Sequence, residues 1–542
     1  MLSTFHWRAA TFLLACLLSG AACAQRPAAV PGDAVRGMRL YLDGVRADGT
    51  ALHALGASGI QRSGRDAACV ACHRRSGFGS AEGPFGVRPI TSQDLFQDRP
   101  PVAATARIAH QLGKPARPPY DSARLAAALR AGIDSAGSPL GALMPRYTLS
   151  AGELRDLEAY LRTLGAEPAE GVDGEDIHLA TVIQPGVAPA RRTALLTVLD
   201  TFVRDKNAAV RSEPARRRAG AMRMQRAYRR WVLHVWELSG PASAWPGQLD
   251  ALYRARPVFA LVSGLGDDDW APIHRFSERR RLPTILPLAR LPAVLEPNFY
   301  TLYFSTGILL EAQGLARHLA AGGGRVTQIY RTDDAAACAA AAMLRHSLAG
   351  SAVVLADRPL RFGPDSATRA GADGDAAVVA WLGAEDLSRL GAPAAPAYVA
   401  QSLVQQESPP GWERAQRVSG WEPDAGRALR LRRVRDWLSA RSIPPGDEEV
   451  QVNAWFAMSM LGEALMHMMD SFSREYLLEQ VEHNINVTIL PSMYPHLSVG
   501  RDMRVAAHEI HIGQAGSPLS LSDPDDLPAP DRLTRHSAQE QP

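Results

Sequence analysis

The chain has 542 residues, 46% of them hydrophobic and 21% charged, which is too long for one small module and too apolar for a disordered tail. Its formal net charge is only +3, and Lys114 and Lys206 are the sole lysines among 59 basic residues, so no lysine-rich tract marks it as a nucleic-acid binder. Five cysteines, at 16, 23, 69, 72 and 338, are too few for a disulfide scaffold of this length.

The first 24 residues read as a signal peptide. His6 and Arg8 precede an apolar run from Ala9 to Leu18, and Ala22-Cys23-Ala24 forms an A-x-A cleavage site. About ten apolar residues are too few to span a bilayer, so no transmembrane span is expected after cleavage. Lipoprotein processing at Cys23 is the alternative, with Gly20 standing where leucine is usual.

Cys69-Val70-Ala71-Cys72-His73 carries the most chemistry. In C-x-x-C-H two thiols one helical turn apart add to the vinyl groups of a porphyrin, and the next histidine reaches the iron. A redox dithiol or half a zinc site would not need that histidine, and no second C-x-x-C follows. The expected cofactor is therefore one covalently attached haem c. Met144, in Leu143-Met144-Pro145-Arg146-Tyr147, offers a soft thioether as sixth ligand, with His110 or an open position as rivals. Ser150 to Glu153 is a capping box, and Leu154, Leu157, Leu161 and Leu164 follow at helical spacing. Residues 34–165 thus resemble a class I c-type cytochrome, which implies an all-α domain with a haem-bearing first helix and a C-terminal helix packed back on it. The resemblance also implies haem attachment outside the cytoplasm and a periplasmic location.

Gly165 to Asp176, rich in glycine, proline and acid, reads as a linker. Beyond it short apolar strands alternate with amphipathic helices. Strands are expected at 177–183, 231–238, 258–263, 284–286, 325–330, 351–355, 377–382 and 397–401; helices at 191–203, 248–253, 273–280, 309–319 and 335–348. Continuous apolar strands separated by helices mean doubly wound parallel sheets, and some 340 residues suffice for two lobes. The segments 258–288, 302–319, 325–331, 454–465 and 494–506 resemble the type I periplasmic binding proteins, the branched-chain amino-acid and amide receptors. That resemblance implies a two-lobed module over 177–515 closing on a small molecule. Carried over, Ser263, Gly264, Leu265, Ser305 and Thr306 are ligand-contact candidates, with Tyr300 and Tyr303 nearby to stack. The first strand lacks the family's usual glycine- and threonine-rich loop.

Other groupings have plainer readings. His508 and His511 are not H-E-x-x-H, and the methionines at 458, 460, 466, 468 and 469 with His467 lie in a long apolar helix from Trp455. Asp267-Asp268-Asp269 and Asp333-Asp334 read as helix caps, Cys338 as a buried thiol, and Arg216 to Arg230 as a solvated helix face. Residues 516–542 are polar and proline-rich, as a disordered tail would be.

The expected domains are a signal peptide (1–24), a cytochrome c domain (25–165), a linker (166–176), a binding-protein-like domain (177–515) and the tail. The implied function is electron transfer by a periplasmic mono-haem cytochrome, fused to a module that binds a metabolite or docks a redox partner, either a dehydrogenase or another cytochrome. The alternative is a substrate-binding protein of a transporter or sensor whose haem reports redox state or gas. Enzymatic peroxidase chemistry needs an open iron, against which Met144 weighs.

Overall fold

The computed structural model describes residues 31–97, 117–211, 229–360, 368–369, 375–513 and 519–520, apart from 57–58, 83–84, 167–168, 392, 406–408, 422–423, 469–470 and 501–502. The signal segment, His110, the basic run up to 228 and nearly all of the tail lie outside the described residues. Two compact units emerge, one from 31–72, 90–98 and 116–164, the other from 73–89 and the chain after 165.

In the first unit, the helix Ala34–Asp43 starts where the Asp33 carboxylate accepts from the Val35 and Arg36 amides, and stops at Gly44 in the left-handed region. The helix Ala151–Leu161 opens on the expected capping box between Ser150 and Glu153. These two helices cross at Gly37. A Cβ there would lie 2.0 Å from the Asp156 carbonyl oxygen, so only glycine permits the approach. Tyr41 and Tyr160 meet beside it with ring centroids 5.2 Å apart, and Arg36–Asp156 and Arg46–Glu153 pairs at 2.7 and 2.6 Å flank it. A third helix, Ser122–Ala131, completes a core around Leu40, Leu125, Leu129, Leu157 and Leu161.

Two features differ from the all-α expectation. Strands Gln61–Ser63, His53–Leu55 and Arg146–Tyr147 form a small antiparallel sheet. The cysteine motif lies on a single turn, Val70–His73, separated from the first helix by those strands. Sequence periodicity is blind to such short elements, because three residues carry no repeat.

The second unit has the expected two-lobed α/β architecture. Its first sheet runs 288–291, 265–269, 176–183, 260–262, 284–285, 301–302, with 230–237 also on 176–183, all parallel. The second runs 353–360, 324–331, 377–381, 397–400, 416–419 in parallel, then 509–512 and 519–520 antiparallel. Each central strand feeds two cores by alternation: Ile177, Leu179 and Ile183 face one side, Ala180 and Val182 the other, while Val379 and Trp381 oppose Val378 and Ala380. Both faces are covered, which is why these strands read as unbroken apolar runs. The chain passes between lobes near Tyr303, whose backbone pairs with Val505 on the return. The helix Glu448–Met468 packs against Pro189–Arg211 below the first sheet, with Met458, Met460 and Met468 in its core and Met466 exposed.

The linker expectation is revised, since 169–176 is knitted into this unit. Gly171 accepts from the His178 amide, and a Cβ on it would strike the Phe259 nitrogen at 2.1 Å. Residues 73–89 also belong here. The Ser76 amide and hydroxyl donate to Glu479 at 3.0 and 2.5 Å, Arg74 pairs with Glu482 at 2.9 Å, and Phe78 stacks on Tyr476 at 4.2 Å. Of the tail, Leu519–Ser520 forms a strand rather than disorder, paired with Glu509 and Ile510.

Candidate functional site

In the second unit, the carboxyl ends of strands from both lobes open onto one cleft, with a cavity of about 50 Å³ at its centre. The first lobe contributes Asp267 from strand 265–269, Arg290 from strand 288–291, Ser305, and Arg191 from the first turn of Pro189–Arg211. The second lobe contributes Glu311 from helix Ile308–Gly322, Ser402 after strand 397–400, and Trp421. Glu449 and Asn453 come from the long helix, and Tyr494 from the segment after Arg474–Val487. Two glycines make room. A Cβ on Gly307 (φ +58°) would lie 2.3 Å from the Arg290 carbonyl oxygen, and one on Gly420 would lie 2.9 Å from the Tyr494 ring.

The arginines are already engaged. Arg191 faces Asp267 at 3.2 Å and Asp447 and Glu449 at 3.4 Å, and Arg290 faces Asp267 at 3.0 Å. Turning the Gln405 amide oxygen toward them gives both guanidiniums a further acceptor, at 2.5 and 3.0 Å. Among the described residues Glu311 has only neutral hydrogen-bond partners, the Ser402 amide and hydroxyl at 3.1 and 2.5 Å, with Arg290 acting on it from farther off. Burial pushes its carboxyl up to about 8, Ser402 holding it back in part. Burial likewise takes Glu449 up to about 7, opposed by Arg191. Asn453, 1% exposed, accepts from the Met493 amide, but its Nδ2 has no acceptor among the described residues. Phe304 stacks on Tyr494 and Trp421 meets it edge-on, at 5.6 and 5.9 Å.

Of the sequence candidates, Ser305 lines this cleft and donates or accepts with the Tyr494 hydroxyl at 3.2 Å. Ser263, Gly264, Leu265 and Thr306 are not among its lining residues. Ser263 adopts a left-handed turn (φ +53°), Gly264 packs on Trp270, and Leu265 starts a buried strand. Tyr300 and Tyr303 turn elsewhere, to Glu475 at 2.7 Å and His274 at 3.0 Å. Asp269 caps the next helix as expected, while Asp267 is an ion-pair partner instead. Glu311, Glu449, Trp421 and Tyr494 went unnoticed in the sequence. The one local signal was Glu311, a lone acid in the apolar run from Ile308 to Leu319.

The cysteine motif fits a haem. Cys69 and Cys72 are free thiols, and His73 is buried with Nδ1 3.0 Å from the Arg88 carbonyl oxygen. That bond places the proton on Nδ1 and leaves Nε2 unprotonated, as an iron ligand would need to be, while burial lowers the imidazole to about 4 and keeps it neutral. Met144 packs on the same apolar cluster as Cys69 and Val70. Cys338 is half-buried rather than buried, its thiol donating to the Arg331 carbonyl at 3.2 Å. Asp173, Asp176 and His178 also converge, but Arg230 takes the Asp176 carboxylate and backbone amides take Asp173. His511 sits in strand Glu509–Ile512, paired with Ser419.

No family model matches the sequence, and no curated protein matches it. Among solved structures, the chain is similar to an ABC transporter solute-binding protein of R. palustris in complex with benzoate (13% identity, 64% of this chain and 96% of that chain, TM-score 0.47). It is also similar to an ABC transporter substrate-binding protein from Sphaerobacter thermophilus (15%, 64% and 99%, 0.46) and a leucine-binding protein from Thermotoga maritima (11%, 65% and 100%, 0.44). The sheet order and crossovers described above, rather than these likenesses, establish the architecture. No helix among the described residues is long and apolar enough to cross a membrane.

Proposed function

We propose that this is an exported solute-binding protein, acting for a transporter or sensor, whose α/β lobes close on a small molecule in the cleft. The observation that carries this reading is the convergence there of buried polar atoms without a hydrogen-bond partner among the described residues, Asn453 Nδ2 and the Nε of Arg191 and Arg290, beside the buried Glu311 carboxyl and three aromatic rings. Such groups are costly to bury unless something satisfies them, and a ligand does so. A ligand in a working cleft stabilises the second unit by mass action, about 2.7 kcal/mol at a hundredfold excess over the dissociation constant. A screen of amino acids, amines, amides and organic acids should find a compound that raises the melting temperature and compacts the protein in solution scattering. A screen with neither effect overturns the reading and leaves the unit a docking scaffold.

A second reading, electron transfer to a periplasmic dehydrogenase or cytochrome, draws support from the bond between His73 Nδ1 and the Arg88 carbonyl, which leaves Nε2 unprotonated. A haem held there supplies one-electron redox chemistry. Cys69 and Cys72 would anchor it, His73 would present Nε2, and Met144 would supply the second axial group. One haem per mature chain in the reduced pyridine spectrum is the expected result; a chain purified from a haem-attaching host without it overturns the cofactor assignment.

A further inference from the structure

We propose that the cleft selects a small organic cation, an amine or a quaternary ammonium, with its positive nitrogen against Glu311 and Glu449 and the rings of Phe304, Trp421 and Tyr494 around it. The proposal rests on the solute-binding reading and names the class of solute.

Charge is the first argument. Two guanidiniums, Arg191 and Arg290, line the cleft against three carboxyl groups, Asp267, Glu311 and Glu449, with Asp447 behind Arg191. Asp267 receives both arginines. An incoming anion would compete with those carboxylates for guanidiniums whose charge is already shared, although the Nε of each has no hydrogen-bond partner among the described residues. A cation meets the opposite situation. Glu311 is 3% exposed and, among the described residues, has no ion-pair partner, only the more distant charge of Arg290, so its ionised form is short of the positive charge that burial demands. Glu449 shares Arg191 with two other carboxylates.

Shape and surface are the second argument. The cavity, about 50 Å³, is lined by Glu311 together with the rings of Phe304, Trp421 and Tyr494. Aromatic faces attract ammonium and quaternary ammonium groups through the ring quadrupole. The unpartnered Asn453 Nδ2 asks for an oxygen acceptor on the same solute, as an amino alcohol carries.

The cation should bind with release of a proton. The groups facing Glu311 and Glu449 are Arg290, Arg191, Asp267, Asp447 and Tyr494, and the balance leaves both carboxyls protonated more than usual, at about 8 and about 7. Below those values a cation must first displace a proton, so its affinity rises as pH rises, about tenfold per unit while one proton leaves.

The test is calorimetric titration of the full chain with choline and ethanolamine, against propionate and leucine, at pH 6.5 and 8.5. The expected result is binding of the two cations, with choline affinity rising at least tenfold between the two pH values. Glu311→Gln, which retains an oxygen for Ser402, should lose tenfold or more at pH 8.5 and flatten the pH response, while Glu311→Asp should retain both. Propionate or leucine binding with the cations silent, or choline affinity falling with pH, overturns the cation class and leaves the receptor reading standing. Silence of all four together with a blank broad screen overturns both.

Discussion

Glu479 shows how one buried carboxyl can set a pH limit on stability. It is 6% exposed, and burial pushes it up to about 7, with the Ser76 hydroxyl and amide and then Arg74 pulling it back and Glu482 pushing it further. In the unfolded chain the same group ionises near 4.5. A carboxyl with a raised folded value gives its full stabilisation below pH 4.5, and that stabilisation is lost as pH climbs through about 7. Glu479→Gln keeps an acceptor for Ser76 and removes the titration. At pH 8 it should be more stable than the parent by roughly 1 to 3 kcal/mol, with little difference at pH 4.5, in denaturant melts. Equal stability at both pH values would show that Arg74 and the Ser76 donors already hold the ionised form. For Met144 the expected outcome is spectroscopic: Met144→Ala should remove the weak long-wavelength absorption band of iron–methionine ligation and lower the reduction potential. An unchanged spectrum would pass the ligand role to another group.

The helices Ala34–Asp43 and Ala151–Leu161 approach so closely at Gly37 that any side chain must push them apart. Gly37→Val should lower the melting of the first unit by about 1–3 kcal/mol without altering the second, as two transitions in calorimetry would report. Glycine at this crossing was not legible in advance, because nothing local separates Gly37 from a helix-interior accident. What was legible follows from period. Ile177–Ile183, Ala377–Trp381 and Ala335–Ser347 were placed within a residue or two because their apolar residues repeat over a full element. The strands Leu265–Asp269 and Leu288–Leu291 escaped because three aspartates and an arginine interrupt them. Those interruptions are the cleft itself, since Asp267 and Arg290 leave the sheet to line it. Local pattern thus failed where the strands turn from packing to chemistry. Trp421 and Tyr494 join Phe304 only through the fold of both lobes, and no spacing announces that meeting.

A sequence reading cuts the chain at 166–176 into a haem module and a self-sufficient receptor, but the receptor unit recruits residues far upstream. Residues 73–89 donate two hydrogen bonds to Glu479 from Ser76, cover the Tyr476 ring through Phe78, and set Arg75 over the Phe299 ring at 3.9 Å. A fragment of residues 170–515 lacks all three. Glu482 and Phe299 retain Arg504, whose guanidinium pairs with the one and lies 4.2 Å over the other, so their loss is partial. Glu479 keeps only the nearby charge of Arg504 and loses both Ser76 hydrogen bonds, and Tyr476 loses its stacking partner. The fragment should therefore fold, because both sheets, short of the edge strand 519–520, and their four cores lie within it, yet melt several degrees below the same transition in the full chain. A synthetic peptide of residues 73–89 should recover part of that loss, and the same peptide with Ser76→Ala and Phe78→Ala should recover none. A fragment that melts with the full chain, indifferent to either peptide, would mean that the upstream segment rests on the receptor without supporting it, and would restore the boundary drawn at the linker.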